Sequence, residues 1–327
     1  MTVLSRGHSI INNIHQVSAW SVRKSWPIQR SLINHSLNNA SPKGPPIALL
    51  GNGRSGTSWV GRTLGYAPRV AYYREPCHPD ISRVKDDSVW SRFVAPDEDD
   101  AYFRWCLDRA FTGKFIDQAS FSLKSLALRK EKNYRVIVKE VACYLSAEWL
   151  ARVWAPQVLI IIRHPCPSIA SVGRLAIQEQ ERRRLGELIE NPRLRDSYLS
   201  HLGTHLESLK TPIEVSSGIW AIKNYVVNQV AKKYPEWIWI RYEDICLDPL
   251  IQFRALYKKL GLEWTDDVQA RIVETTTRPA DKNRNARVSS NQVNKWRSMM
   301  TSIEIESVRK AIEPFELPFY QDISNWN

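Results

Sequence analysis

Ile47-Ala-Leu-Leu-Gly-Asn-Gly-Arg-Ser-Gly-Thr-Ser-Trp59 is the stretch on which the reading of this chain turns. The apolar run Ile47 to Leu50 predicts a buried strand. Gly51, Gly53 and Gly56 permit a tight turn whose backbone N–H groups face inward towards an anion, and the residues after them open a helix. Set beside G-x-x-x-x-G-K-[ST], Gly51 and Gly56 supply the two glycines, but Thr57 stands where the lysine belongs and Ser58 takes the hydroxyl position. The positive charge lies within the loop, at Arg54. A missing lysine removes the contact to the β- and γ-phosphates of a nucleoside triphosphate, so the loop suits a shorter anionic tail.

Gly53-Arg-Ser-Gly-Thr-Ser-Trp59 resembles the 5′-phosphosulfate loop of sulfotransferases that use 3′-phosphoadenosine-5′-phosphosulfate (PAPS). In that family a lysine or arginine precedes Ser-Gly-Thr-[ST], as Arg54 does here. The resemblance implies that Arg54, Ser55, Gly56, Thr57 and Ser58 bind the phosphosulfate. A second stretch, Gln157-Val-Leu-Ile-Ile-Ile-Arg-His-Pro-Cys-Pro-Ser-Ile-Ala-Ser171, reads as a buried strand, a proline-marked turn and the start of a helix. It is similar to the family's 3′-phosphate motif, which places an arginine at the strand end and a serine eight residues later; Arg163 and Ser171 have that spacing. A guanidinium grips a phosphate with two parallel N–H bonds while a hydroxyl caps it. His164 departs from the aspartate usual in the family.

Further matches run over most of the chain from about residue 44 onward. Tyr134 to Lys139 predicts another strand, followed by a helix around Ala147 to Trp154. Trp237-Ile-Trp-Ile-Arg-Tyr-Glu-Asp-Ile245 resembles the late strand and Tyr-Glu-Asp turn whose tyrosine approaches adenine, which implies that role for Tyr242; Trp59 takes a second adenine contact by the same carry-over. Both aromatics also read as core anchors. Arg284 to Arg297 resembles the polar loop and Lys-Trp element that close over the nucleotide, with Arg287 and Lys295 as candidates. The alternation of strands and helices in 327 residues predicts an α/β fold: a P-loop NTPase-like three-layer α/β/α arrangement with a central, mostly parallel sheet. The expected organisation is a basic N-terminal arm, 1–43, and one domain, 44–327, with a helical insertion around 175–215. That insertion, dense in Arg, Glu and Leu, reads first as a solvated helical hairpin and second as a lid over the acceptor; it and the loops near Pro76 to Asp100 are where acceptor specificity is expected.

The formal net charge is +12, and the first 74 residues hold nine Lys or Arg and no Asp or Glu. This acid-free stretch gives a positive field suited to a polyanionic nucleotide. Residues 1–43 contain no apolar run long enough for a membrane span or a secretory h-region. They read as a basic arm that packs on the domain or makes peripheral membrane contact. Nucleic acid is not an expected partner, since the basic residues accompany no recognised binding motif. The five cysteines are scattered, with no zinc spacing and no disulfide framework, which fits a reducing cytoplasm with membrane association through the arm. The chain departs from secretory carbohydrate sulfotransferases, which carry an N-terminal anchor, and stands nearer bacterial-type soluble enzymes.

The resemblance implies transfer of a sulfuryl group from PAPS to a hydroxyl of a small-molecule or glycan acceptor, without a metal, releasing 3′-phosphoadenosine-5′-phosphate. Arg54 is placed to stabilise the group in flight. Val70-Ala-Tyr-Tyr-Arg-Glu-Pro76 resembles the Glu-Pro element in which glutamate removes the acceptor proton, so Glu75 is the candidate base. A salt bridge from Glu75 to Arg74 or Arg69 is its structural alternative. The family's cytosolic branch uses a histidine two residues after a strand-end lysine; here Lys139-Glu-Val141 puts valine there, leaving Glu140 as a rival on the opposite face. Two other functions stay open: a P-loop kinase, and a nucleotide-binding protein without transfer activity.

Overall fold

The structure is a computed structural model that describes residues 40–322 apart from 83, 85, 117–127, 129–132, 173–177 and 279–287, together with 325 and 326. Arg287 and residues 1–39 of the basic arm lie outside the described residues, as does the side chain of Ser171.

Five strands form one parallel sheet: β1 (Ile47–Gly51), β2 (Val70–Arg74), β3 (Arg135–Glu140), β4 (Gln157–Ile162) and β5 (Ile238–Arg241), in the order β2-β3-β1-β4-β5. The three central strands are almost wholly buried, which is why they read as continuous apolar runs and not as alternating patterns. Their alternate residues still divide between two faces. Ala48, Leu50, Val136, Val138, Val158 and Ile160 meet α2 (Ala101–Phe111), α3 (Ala147–Trp154) and the end of α6 (Pro212–Ala231). Ile47, Leu49, Ile137, Leu159 and Ile161 meet α1 (Thr57–Leu64), α7 (Tyr242–Leu247), α8 (Pro249–Leu260) and α9 (Asp266–Thr277). The result is an α/β/α sandwich around a parallel sheet.

Beyond the sheet, α4 (Pro165–Val172), α5 (Gln178–Glu190) and α10 (Ser302–Ile312) gather around α6. Here the structure differs from a solvated hairpin. Leu185, Leu188, Leu194, Leu199, Leu202, Leu206 and Leu209 are all buried in one apolar cluster with Trp220 and Ile222 of α6. The charged residues between these leucines hide the stripe in the sequence, but spacings of three and four within Leu185–Leu188 and Leu199–Leu209 still set an apolar face towards α6. The helix α6 starts on a capping box, Thr211 with Glu214, followed by Pro212.

The strand order sets the position of a site. The connection leaving β1 runs one way, out to β2 at the sheet edge, whereas the connection leaving β4 runs the other way, to β5. In open α/β sheets, the crevice outside the carboxyl ends of two such strands is where ligands bind. The chain leaves β1 into the loop 51–57 and leaves β4 into Arg163, so both sequence motifs flank this crevice.

Candidate active site

The loop after β1 holds two residues in the left-handed region: Arg54, φ 67°, and Gly56, φ 85°. A Cβ on Gly56 would lie 2.3 Å from Cδ2 and Cε2 of Tyr242, so only glycine allows the aromatic ring beneath the loop. A Cβ on Gly51 would meet the carbonyl oxygen of Ile161 at 2.7 Å, which ties the start of the loop to β4. The loop is braced from within: Ser55 N donates to Asn52 O at 3.2 Å and Gly53 N to Asn52 Oδ1 at 2.9 Å. Helix α1 begins at Thr57 with no side-chain cap and no acidic residue in its first turn, leaving its N-terminus suited to an anion. The Ser55 hydroxyl is buried and has no hydrogen-bond partner among the described residues.

From β4, Arg163 reaches across the switch point. Its Nη1 donates to Arg54 O at 2.9 Å, and its guanidinium carbon lies 4.3 Å from the centre of the Tyr242 ring. Its Nε is buried with no partner among the described residues. Buried donors of this kind are costly when unused, and a phosphate-bearing ligand at the crevice would satisfy them. Tyr242 and Trp59 are both buried, their rings edge-on at 5.8 Å, so both pack in the core beneath the loop.

His164 follows Arg163 and is caged. Its ring stacks on Trp296 at 4.9 Å and meets the edges of Tyr320 and Trp326, while Nδ1 accepts from Cys166 N at 3.2 Å. Burial, with help from Arg297, Arg241 and Arg163, pushes its pKa down to about 3, so the imidazole is neutral. Glu243 links the cage to the sheet, accepting His164 N at 3.0 Å and Tyr320 OH at 2.7 Å. The Lys-Trp element therefore arrives beside the end of β4, with Trp296 buried and Lys295 exposed. Sequence reasoning missed Glu243, Tyr320 and Trp326. The Tyr-Glu-Asp stretch was the available signal for the first, and nothing local marks the other two.

On the far side of β1, Glu75 leaves the end of β2 with φ 50°, and its N–H donates to Lys139 O at 2.7 Å. The register Arg74 to Lys139 brings the two side chains together, and Glu75 Oε1 forms an ion pair with the buried Lys139 Nζ. This is a different partner from Arg74 or Arg69. Burial alone would raise the Glu75 pKa, but the Lys139 ammonium, with Arg74 and His78, outweighs it and holds the carboxyl below its ordinary value. Glu75 is thus ionised at neutral pH. Glu140 points elsewhere: fully buried, it accepts Cys77 N at 2.9 Å, Val141 N at 2.9 Å and Ala142 N at 3.1 Å. Its carboxylate braces the turn that carries Glu75.

Among the described residues no group of three or more His, Cys, Asp or Glu side chains could hold a metal ion, and no helix is long and apolar enough to cross a membrane. The described part of the site thus joins Arg54, Ser55, Gly56, Thr57, Trp59, Arg163 and Tyr242 around one crevice, with Glu75 and Lys139 at the strand ends next to it.

A model of the sulfotransferase family matches residues 45–266 of the chain. No curated protein matches it. Among solved structures, the sulfotransferase domain from the curacin biosynthetic pathway is similar at 14% identity and a TM-score of 0.46, covering 85% of this chain and 100% of that one. Mouse sulfotransferase SULT7A1 complexed with PAP is similar at 14% identity and 0.43, covering 88% and 89%. The sulfotransferase domain from the Synechococcus PCC 7002 olefin synthase is similar at 15% and 0.44, covering 84% and 95%.

Proposed function

The chain belongs to the sulfotransferase family, and from that membership we propose that it transfers the sulfuryl group of PAPS to an acceptor hydroxyl by in-line displacement, releasing 3′-phosphoadenosine-5′-phosphate. The observation that carries this reading is the meeting of Arg163 with the loop 51–57 at the switch point. One guanidinium nitrogen is spent on the Arg54 carbonyl and Nε is left over. A second phosphate beside the loop is what distinguishes this donor from ATP. The loop has no lysine for a γ-phosphate, since Thr57 occupies that place.

PAPS supplies the sulfuryl group together with a stable leaving group. The chain supplies charge and position. Arg54, Ser55, Thr57, Ser58 and the first N–H groups of α1 hold the 5′ end. Arg163, with Ser171, holds the 3′-phosphate, while Trp59 and Tyr242 form the wall nearest the base, and Lys295 and Arg287 are the further nucleotide contacts that family membership implies. Glu75 takes the proton of the acceptor hydroxyl as the new S–O bond forms and the bond to the bridging oxygen breaks. Its depressed pKa keeps it ready as a carboxylate and makes it a weaker base, so proton transfer lags bond formation.

Calorimetric titration with 3′-phosphoadenosine-5′-phosphate, ADP, and ATP with and without Mg²⁺ tests the donor. The expected outcome is metal-independent preference for the 3′-phosphorylated nucleotide and at least tenfold weaker binding in Arg163→Ala, the scale of a lost charged hydrogen bond. Equal or better binding of ATP with Mg²⁺ would turn the assignment towards a kinase.

A further inference from the structure

The register that pairs Ile162 with Arg241 carries on past the ends of β4 and β5, so Arg163 and His164 meet Tyr242 and Glu243. The Arg163 guanidinium carbon lies 4.3 Å from the Tyr242 ring centre, and Glu243 accepts the backbone N–H of His164 at 3.0 Å. The first contact places the side chain of Arg163. The second fixes the peptide plane from which that side chain leaves. Glu243 is 7% exposed, and its other oxygen accepts Tyr320 OH at 2.7 Å. Both partners are donors, which suits an acceptor-only carboxylate.

Tyr320 comes from the end of the chain, beyond the residues 45–266 that the family model matches. It is buried at φ 61°, a left-handed conformation unusual for so large a side chain. Its neighbours hold it there. Trp326 Nε1 donates to its carbonyl at 2.8 Å, the Arg241 guanidinium carbon lies 4.8 Å from its ring centre, and the His164 ring meets it edge-on at 4.9 Å. Trp326 and Asn325 are tied down in turn, by Arg297 Nη1 to Trp326 O at 3.1 Å and by Arg241 Nη2 to Asn325 Oδ1 at 3.2 Å. A strained residue persists only where its surroundings over-determine it, and such residues gather at functional sites. Filling space does not require Glu243 either, since an apolar side chain would occupy the volume without a buried carboxylate to satisfy. What the carboxylate adds is a grip on an N–H one residue from the arginine.

We propose that Tyr320 and Glu243 are positioning residues for the 3′-phosphate: the end of the chain, through the Tyr320 hydroxyl and the Glu243 carboxylate, fixes the His164 N–H and so the direction in which Arg163 leaves β4. This rests on the reading of Arg163 as the group that receives a 3′-phosphate. Both residues act through Arg163. A guanidinium offers its donors in a fixed fork, so a change of aim loses phosphate hydrogen bonds where a lysine's point charge would lose little. Arg163 Nη1 is already committed to the Arg54 carbonyl at 2.9 Å, so the aim of its remaining donors depends on the peptide plane behind them.

The test compares 3′-phosphoadenosine-5′-phosphate with adenosine-5′-phosphate, which lacks only the 3′-phosphate, by calorimetry on the full chain, and reads the ratio of the two dissociation constants. The parent is expected to prefer the 3′-phosphorylated nucleotide about a hundredfold, the scale of two charged hydrogen bonds. Tyr320→Phe deletes one oxygen from a ring that stays packed and should reduce the ratio about fivefold; Glu243→Ala should reduce it about tenfold, both with the affinity for adenosine-5′-phosphate nearly unchanged. Glu243→Gln should keep the ratio within about threefold, because its amide oxygen still accepts the His164 N–H and its NH₂ meets the Tyr320 oxygen. A loss in Glu243→Gln equal to that in Glu243→Ala would assign the effect to charge and overturn the positioning role. A lowered melting temperature with an unchanged ratio would make both residues structural and overturn it as well, and Tyr320→Phe decides if Glu243→Ala does not fold. Equal binding of the two nucleotides by the parent overturns the PAPS reading and the inference with it, whereas a parental preference kept in full by Tyr320→Phe overturns the inference alone.

Discussion

As the proposed base, Glu75 carries two opposing demands. It must be ionised to accept a proton, which the neighbouring Lys139 ensures, and it must be basic enough to keep one, which Lys139 opposes. Glu75→Gln preserves the shape of the turn and removes the basic oxygen. Turnover is expected to fall roughly 10²-fold or more, the scale of general-base loss, with nucleotide affinity nearly intact. Turnover equal to that of the parent would remove Glu75 from the mechanism. His164 is a residue-scale problem of a different kind. Its pKa in the folded protein is about 3 against an ordinary 6.5. The unfolded chain therefore takes up a proton below pH 6.5 that the folded chain refuses, and this part of the stability is complete above 6.5 and lost as pH falls towards 3. His164→Phe keeps a flat ring against Trp296 and cannot titrate. Its urea midpoint should fall less steeply with acid than that of the parent, by up to about 1.4 kcal/mol per pH unit when expressed as stability. Parallel acid limbs in the two proteins would mean that His164 is not the group responsible.

At the scale of elements, the loop between β1 and α1 works because Gly56 lets Tyr242 lie against its backbone. Gly56→Ala adds a methyl 2.3 Å from that ring at a φ of 85°, so the ring or the loop must move. The cost is expected to be about 1–3 kcal/mol of stability, and nucleotide affinity should drop more than tenfold because the Arg54 carbonyl that anchors Arg163 moves with the loop. Thermal melts with calorimetry on the same sample check both, and full affinity in a stable variant would show that the loop tolerates another shape. This loop was legible in the sequence because its signals are local: a buried strand, spaced glycines and an arginine within the loop where the usual lysine is missing. The strand ending at Arg163 was legible for the same reason. The Glu75–Lys139 pair was not, since it depends on the register between β2 and β3 and so on residues far apart in the chain. Arg69 and Arg74 looked nearer in sequence, but a parallel partner strand supplied the closer charge. The cage of Trp296, Tyr320 and Trp326 around His164 was equally hidden, being assembled from the last part of the chain on a strand end laid down much earlier. In α5 the leucine stripe lay beneath a high density of Arg and Glu, and only its packing on α6 exposes it.

For the molecule as a whole, charge acts before contact does. A net charge of +12, with no carboxylate before Glu75, surrounds the loop 51–57 with a positive field that favours the approach of an anion, the proposed nucleotide among them. The association rate of 3′-phosphoadenosine-5′-phosphate is expected to fall about tenfold or more between low and high salt as the screening length contracts, while the dissociation rate changes little. Stopped-flow binding across a salt series reads both, and a flat association rate would confine electrostatics to the residues in contact. The strand order described above also has a bearing on inheritance. The groups assigned to the donor leave β1, β4 and β5 and flank the crevice, whereas Glu75 leaves the edge strand β2. Changes in the second group need not disturb the first. On the proposed function, the side that receives the acceptor can be rewritten beyond β2 while the side that holds the donor is kept, and a chimera exchanged at that joint is the direct route to a new product.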